Sequence, residues 1–253
     1  MLLSFGAHGQ ASLDGSLQHR LDSVALADVP TGGPGMATAI IRDGQVIYQQ
    51  VAGYANLEDS TLLSATSRFN IASNGKQFTA LGILLLVEAG ELALTDDVRK
   101  YVPELYPHFD QTITLAQLLT HRSGLRDVYD LWSLQGYTWW EQPFTQSDAL
   151  LLLAQQQDLN FEPGTKYLYS NSNYMVLAEV ITRVSGQSFS EYMDGVFAKL
   201  GMPNTHFEPN PLAMEGVVAR PYFNFDTWVT YDWTWNIVGD GNLFSSLADQ
   251  VQW

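Results

Sequence analysis

Residues 69–88 read Phe69-Asn-Ile-Ala-Ser-Asn-Gly-Lys-Gln-Phe-Thr-Ala-Leu-Gly-Ile-Leu-Leu-Leu-Val-Glu88. The segment opens polar and then turns apolar, with Phe78, Leu81, Leu84, Leu85 and Val87 spread around nearly the whole circumference of a helix. A helix of that kind belongs at the centre of a helical layer rather than on its surface. The apolar stretch Ala80–Val87 is eight residues long, far short of the roughly 18–20 needed to cross a bilayer.

Ser73 and Lys76 stand where the polar segment enters this helix, and they form the one S-x-x-K of the chain. At i and i+3 the two side chains share a helical face, about 5–6 Å apart at Cβ. A neutral amine held there can take the hydroxyl proton, which makes the serine a nucleophile. Free N–H groups and the positive end of the helix dipole would stabilise the oxyanion formed on attack. The same residues also read as an N-cap serine followed by a solvated lysine. A cap accounts for Ser73 and leaves Lys76 unexplained, since a cation is unfavourable near a helix N-terminus. Both readings stand on this segment alone.

Before the segment, Leu13, Leu17, Leu21 and Val24 mark an amphipathic helix from Ser12 to about Ala27. Met36–Arg42 and Gln45–Gly53 flank Asp43-Gly44, a two-residue hairpin signal. After it, helices are expected from Thr95, over Leu115–His121 and over Asp148–Gln157 with Ser147 as cap. Further helices are expected over Tyr174–Val184 and from Ser190 to Leu200, then one capped by Ser246. Val217–Asn236 is aromatic-rich and ambiguous, and Gly239-Asp-Gly-Asn242 is a turn. Only the hairpin shows clear strands, and a lone hairpin needs more strands or covering helices. No repeat or linker divides the chain.

Composition removes several function classes. Twelve basic against 27 acidic residues leave a formal charge of −15, which repels phosphate backbones and speaks against nucleic-acid partners. Without cysteine there is no thiolate catalysis, Fe–S cluster or Cys-based zinc site. The five histidines are scattered and no H-E-x-x-H occurs, so a metal centre is not expected. Neither a G-x-S-x-G elbow nor a phosphate-binding glycine loop is present.

A second polar group, Tyr169-Ser-Asn171, lies between the Pro163-Gly164 turn and the next helix. By itself it reads as a polar loop whose Asn171 caps that helix. A phenol there could equally relay a proton, and the amide could bind a substrate carbonyl.

Taken together, Phe69–Ala80, Leu118-Leu-Thr-His-Arg-Ser-Gly-Leu125, Pro163-Gly-Thr-Lys-Tyr-Leu-Tyr-Ser-Asn171 and Gly239-Asp-Gly-Asn-Leu-Phe-Ser245 resemble the serine β-lactamase and penicillin-binding superfamily, in its class C or D,D-carboxypeptidase-like branch. The four segments occur in the family's order, and the resemblance spans about Ser12 to Trp253. It implies an α/β (α+β) fold, an antiparallel sheet flanked by helices plus an all-helical subdomain. It also implies that Ser73 is acylated, that Lys76 is its base, that Tyr169 relays the proton and that Asn171 holds the substrate's amide or ester. His121, Arg122 and Gly239–Gly241 would be scaffold. Small esters, β-lactams and D-alanyl peptides are the implied small-molecule substrates, with no cofactor and no metal.

The family's third motif, Lys-Thr-Gly or His-x-Gly on a strand beside the site, has no counterpart before Trp253. Lys199-Leu-Gly201 matches only by letters, at a helix end. The expectation is therefore a domain over 12–253 lacking its C-terminal strands and helix, prone to self-association or to pairing with the missing segment. The alternative to a serine hydrolase is a non-catalytic fragment that binds a ligand or a complementary chain. Met1–Ala7 is apolar and precedes small residues at Gly9 and Ala11, so residues 1–11 read as a signal-peptide remnant. That implies a periplasmic or secreted protein, or a cytoplasmic one if the segment is no signal.

Overall fold

The computed structural model describes residues 14–223 and 227–253, so the signal-like residues 1–11 lie outside the described part. Helix α1 (Gly15–Ala25) is capped by Asp14 and precedes the expected hairpin, β1 (Met36–Arg42) paired antiparallel with β2 (Gln45–Ala52). Asp43 and Gly44 both adopt positive φ, 53° and 71°, as the twist-matched two-residue turn requires. Leu17 and Val24, read as the buried face of α1, are exposed; the helix touches β2 through Asp22, which accepts from the Tyr48 hydroxyl.

Seven further strands occur among the described residues, each two to four residues long and too short to show an alternating pattern in sequence. β3 (Tyr54–Asn56) pairs with β4 (Thr61–Leu62). β5 (Arg68–Asn70) and β7 (His206–Phe207) both pair antiparallel with β9 (Leu243–Ser246), which lies between them. β6 (Phe144–Thr145) and β8 (Trp235–Asn236) form a parallel pair within the aromatic-rich region.

The rest is helical. The segment at 69–88 enters through a 3-10 turn, Ala72–Gly75, and continues as α2 (Lys76–Glu88). α2 packs on α6 (Asn171–Ser185) and α7 (Phe189–Leu200). It buries Phe78, Thr79, Gly82, Ile83 and Leu86, one face at i, i+3, i+4 spacing, while Leu84 is exposed. The all-round apolar reading thus overstated its burial. Gly82 allows the close crossing: a Cβ there would stand 2.8 Å from Ile181 Cδ1 and 3.0 Å from Met193 Sδ.

Local hydrogen bonding moved several expected ends. Helix α3 (Leu115–Leu119) has a Thr114–Gln117 capping box and stops before His121, whose φ is +54°. The helix expected at Thr95 is a 3-10 turn, Val98–Lys100, capped by Asp97. α4 (Val128–Leu134), capped by Asp127, had no sequence expectation. α5 (Gln146–Ala154) is capped by Thr145 rather than Ser147, because Thr145 has Asp148 three positions on to close the box. For the same reason Ser188 with Glu191, not Ser190, begins α7. α6 starts three residues before Tyr174, and α8 (Leu247–Gln252) is capped by Ser246 as expected. Among the described residues no helix is long and apolar enough to cross a membrane.

Candidate active site

Strand pairing builds the site. Phe69 and Asn70 of β5 pair with Ser245 and Phe244 of β9, and the Ile71 N–H donates to the Leu243 carbonyl at 2.8 Å. The turn carrying Ser73 is thereby tied to the Gly239–Asn242 loop that precedes β9. Ala72 takes a left-handed φ of 49°, and its N–H donates to Asn70 Oδ1 at 2.9 Å. A non-glycine residue held in that region is a local strain that the surrounding contacts must enforce.

Ser73 is exposed, whereas Lys76, on the next turn, is only 7% exposed. The Lys76 Nζ donates to Ser73 Oγ at 3.0 Å, to Asn171 Oδ1 at 2.9 Å and to the Asp240 carbonyl at 2.6 Å. Three acceptors match the three protons of an ammonium. A neutral amine would keep two of these bonds and turn its lone pair to the serine. The serine oxygen does not act as a cap: neither the 3-10 turn nor α2 has a side-chain cap bond at its start.

The loop before α6 brings the phenol. Tyr169 OH donates to Ser73 Oγ at 3.0 Å, and its ring lies 5.0 Å from the Lys76 Nζ. The ring stacks on His121, with centroids 4.4 Å apart and planes at 29°. His121 Nδ1 accepts from the Ser170 N–H at 3.2 Å, so the ring supports the loop as a neutral acceptor. Burial, with the nearby Lys76 charge adding to it, lowers the His121 pKa and favours that neutral form. All four residues singled out in the sequence, Ser73, Lys76, Tyr169 and Asn171, therefore meet at one place.

Three contributors were not anticipated. Asp127 accepts from the Tyr129 N–H at 2.8 Å at the start of α4, while its other oxygen accepts from Asn171 N at 2.5 Å and Asn171 Nδ2 at 2.9 Å. It thus orients the amide that faces Lys76. An Asp directly before a helical stretch is a legible cap signal; its second duty, to Asn171, is not.

Asp240, read as part of a structural turn, anchors Lys76 through its backbone carbonyl. The turn fits because Gly239 has φ +97° and no room for a Cβ, which would lie 2.5 Å from Ala178 Cβ and 2.6 Å from the Tyr174 carbonyl. Burial pushes the Asp240 carboxyl up to about 7, with Lys76 opposing the shift. The third is Tyr129, whose phenol faces Asp240; burial first, then the Asp240 charge, raises its pKa well above the ordinary range.

Ser73, Asn171, Tyr129 and Asp240 open on a cavity of about 820 Å³ whose walls include Phe69, Leu212, Met214, Val217, Tyr231 and Trp233. Among the described residues no group of three or more His, Asp or Glu side chains is placed to hold a metal ion. An accessible hydroxyl, a buried amine and a phenol on one oxygen, beside a mainly apolar cavity, can support acyl transfer with proton shuttling.

Comparison with known proteins gives the same direction. The sequence model of the Beta-lactamase family matches residues 24–253. The chain is 31% identical over 224 residues to "Protein flp" of Staphylococcus aureus, covering 82% of this chain and 44% of that protein. It is 32% identical over 228 residues to a D-aminopeptidase of Cereibacter sphaeroides, covering 87% of this chain and 42% of that one. The octameric penicillin-binding protein homologue from Pyrococcus abyssi superposes with a TM-score of 0.79 at 29% identity, over 95% of this chain and 55% of that one. The chain spans less than half the length of these two curated relatives.

Proposed function

The chain belongs to the Beta-lactamase family, and we propose that it works as a serine hydrolase with Ser73 as the acylated nucleophile. Ser73 Oγ attacks the substrate carbonyl carbon while its proton passes to the neutral Lys76 amine, directly or through the Tyr169 phenol. The tetrahedral oxyanion collapses, the carbonyl–leaving-group bond breaks, and Tyr169 hands the leaving group its proton. The resulting ester on Ser73 is attacked by water, whose proton returns along the same relay, and the acid product leaves with Ser73 restored.

The observation that carries this reading is the double claim on one oxygen: Lys76 Nζ and Tyr169 OH each lie 3.0 Å from Ser73 Oγ. Asn171 spends Oδ1 on Lys76 and one Nδ2 hydrogen on Asp127. It therefore positions the base and has one amide hydrogen left for a substrate oxygen. Small esters, β-lactams and D-alanyl peptides are the candidate substrates, and the name of the D-aminopeptidase relative puts other D-amino-acid peptides beside them.

Intact-protein mass spectrometry after exposure to a fluorophosphonate probe tests the proposal. One adduct, mapped to Ser73 and lost in Ser73→Ala, is expected. A chain that takes no adduct while folded would favour the alternative, a non-catalytic chain that binds a ligand or a complementary segment.

A further inference from the structure

Two buried side-chain oxygens at the site have no hydrogen-bond partner among the described residues, Ser170 Oγ and Asp240 Oδ1, and of these two residues it is Asp240 that lines the cavity. Asp240 is 3% exposed. Lys76 does not supply one, since its three donor contacts go to Ser73 Oγ, Asn171 Oδ1 and the Asp240 main-chain carbonyl. A buried acceptor without a donor is costly in a resting protein, so its retention asks for a partner that arrives.

The position is rigid. Gly239 on one side admits no Cβ, and the Asp240 carbonyl is held by Lys76, so the main chain that carries the carboxyl is fixed in place. Through its main-chain carbonyl the residue shares the Lys76 amine with the reacting Ser73 oxygen. The charged residues on the described cavity wall are Asp59, Asp232, Asp240 and Arg220, and Arg220 is already paired with Asp232 at 3.1 Å. The wall is therefore net acidic and offers a carboxylate-bearing substrate no free cation among the described residues.

We propose that the Asp240 carboxylate is the recognition group for a substrate ammonium placed next to the scissile carbonyl, which directs this site toward esters or amides of amino acids with a free amine. This assignment rests on the reading of Ser73 as nucleophile. The Tyr129 phenol, facing the same carboxyl, completes the seat. Burial holds the empty Asp240 carboxyl up near 7, and a bound cation would favour its ionised form, so the charge-assisted bond forms when the ligand is in place.

The test reads binding without chemistry. Ser73→Ala protein is titrated calorimetrically at neutral pH with glycine benzyl ester and with benzyl acetate, an achiral pair that differs by the amine. The ammonium compound is expected to bind roughly tenfold or more tightly, as one charge-assisted hydrogen bond supplies. In Ser73→Ala/Asp240→Asn the preference should vanish. In Ser73→Ala/Asp232→Asn, which removes an equal charge from the same wall, it should persist.

Equal affinities in Ser73→Ala, a preference retained without Asp240, or equal loss in both double variants would each overturn the proposal. Should the Asp240 variant not fold, benzyl propanoate decides instead, because its terminal methyl matches the ammonium in size and lacks the charge; its binding to Ser73→Ala as tightly as the free amine overturns the idea. Failure of the nucleophile reading shows separately, as a folded chain with intact Ser73 that resists the fluorophosphonate.

Discussion

Asp127 joins two tasks that substitution can separate. One oxygen caps α4; the other accepts two hydrogen bonds from Asn171, the residue that faces Lys76. A lost cap costs ~1 kcal/mol, and each hydrogen bond to a buried charged group contributes ~1.5–3 kcal/mol. At the lower ends of those ranges Asp127→Ala destabilises the chain by ~4 kcal/mol. Asp127→Ser restores the cap alone and should recover about 1 kcal/mol of that loss.

Asp127→Asn is the sharper variant, because its shape is kept while one oxygen becomes a donor. If the amide oxygen caps α4, its NH₂ confronts two Asn171 donors; if it flips, the cap is lost. Either way the Asn171 amide is expected to turn, release Lys76 and slow Ser73 labelling ~10²-fold, the usual cost of a misplaced catalytic group. Urea unfolding gives the stabilities, and the rate of fluorophosphonate labelling gives the chemistry. A folded Asp127→Asn chain that labels at the unsubstituted rate would refute the claim that Asp127 positions the base through Asn171.

Further outcomes follow from the same contacts. Lys76→Ala leaves Asn171 Oδ1 and the Asp240 carbonyl without the amine's hydrogen bonds and Ser73 Oγ with Tyr169 alone, and should slow labelling by ~10²–10⁴; a loss smaller than about threefold would count against Lys76 as base. Gly239→Ala forces a methyl into Ala178 and the Tyr174 carbonyl at a φ of +97°, so unfolding should come ~2–5 kcal/mol sooner; unchanged urea stability would show that the loop has room to shift.

Asp240 has its folded pKa raised to about 7, above its ordinary 3.8. Its protonated form thus favours folding fully below the ordinary value, and that contribution is lost as pH rises through about 7. Between about pH 4 and 7 the stability of the unsubstituted chain should therefore fall relative to Asp240→Asn. The carboxyl is faced by Lys76, Tyr129 and Asp127, which both proteins share, and a flat difference across that window would contradict its burial as an acid.

What the chain's letters settle by themselves is local. Asp43-Gly44 dictates a hairpin because few residues tolerate positive φ at both turn positions. Ser73 and Lys76 share a face because the helical repeat brings i and i+3 together. The order of four short segments carried the family, and with it the expectation that Tyr169 and Asn171 would reach the serine 96 and 98 positions away.

Tertiary structure decided the rest. Helix starts at Thr145 and Ser188 were chosen by which acidic residue could close a capping box, a competition between neighbouring hydroxyls that letters leave balanced. The burial of α2 on one face only depended on where α6 and α7 lie. Asp240 reaches Lys76 through a main-chain carbonyl, which every residue type owns and which therefore leaves no mark in sequence. Its carboxyl Oδ1, without a hydrogen-bond partner among the described residues, became visible only once the packing around the loop was known.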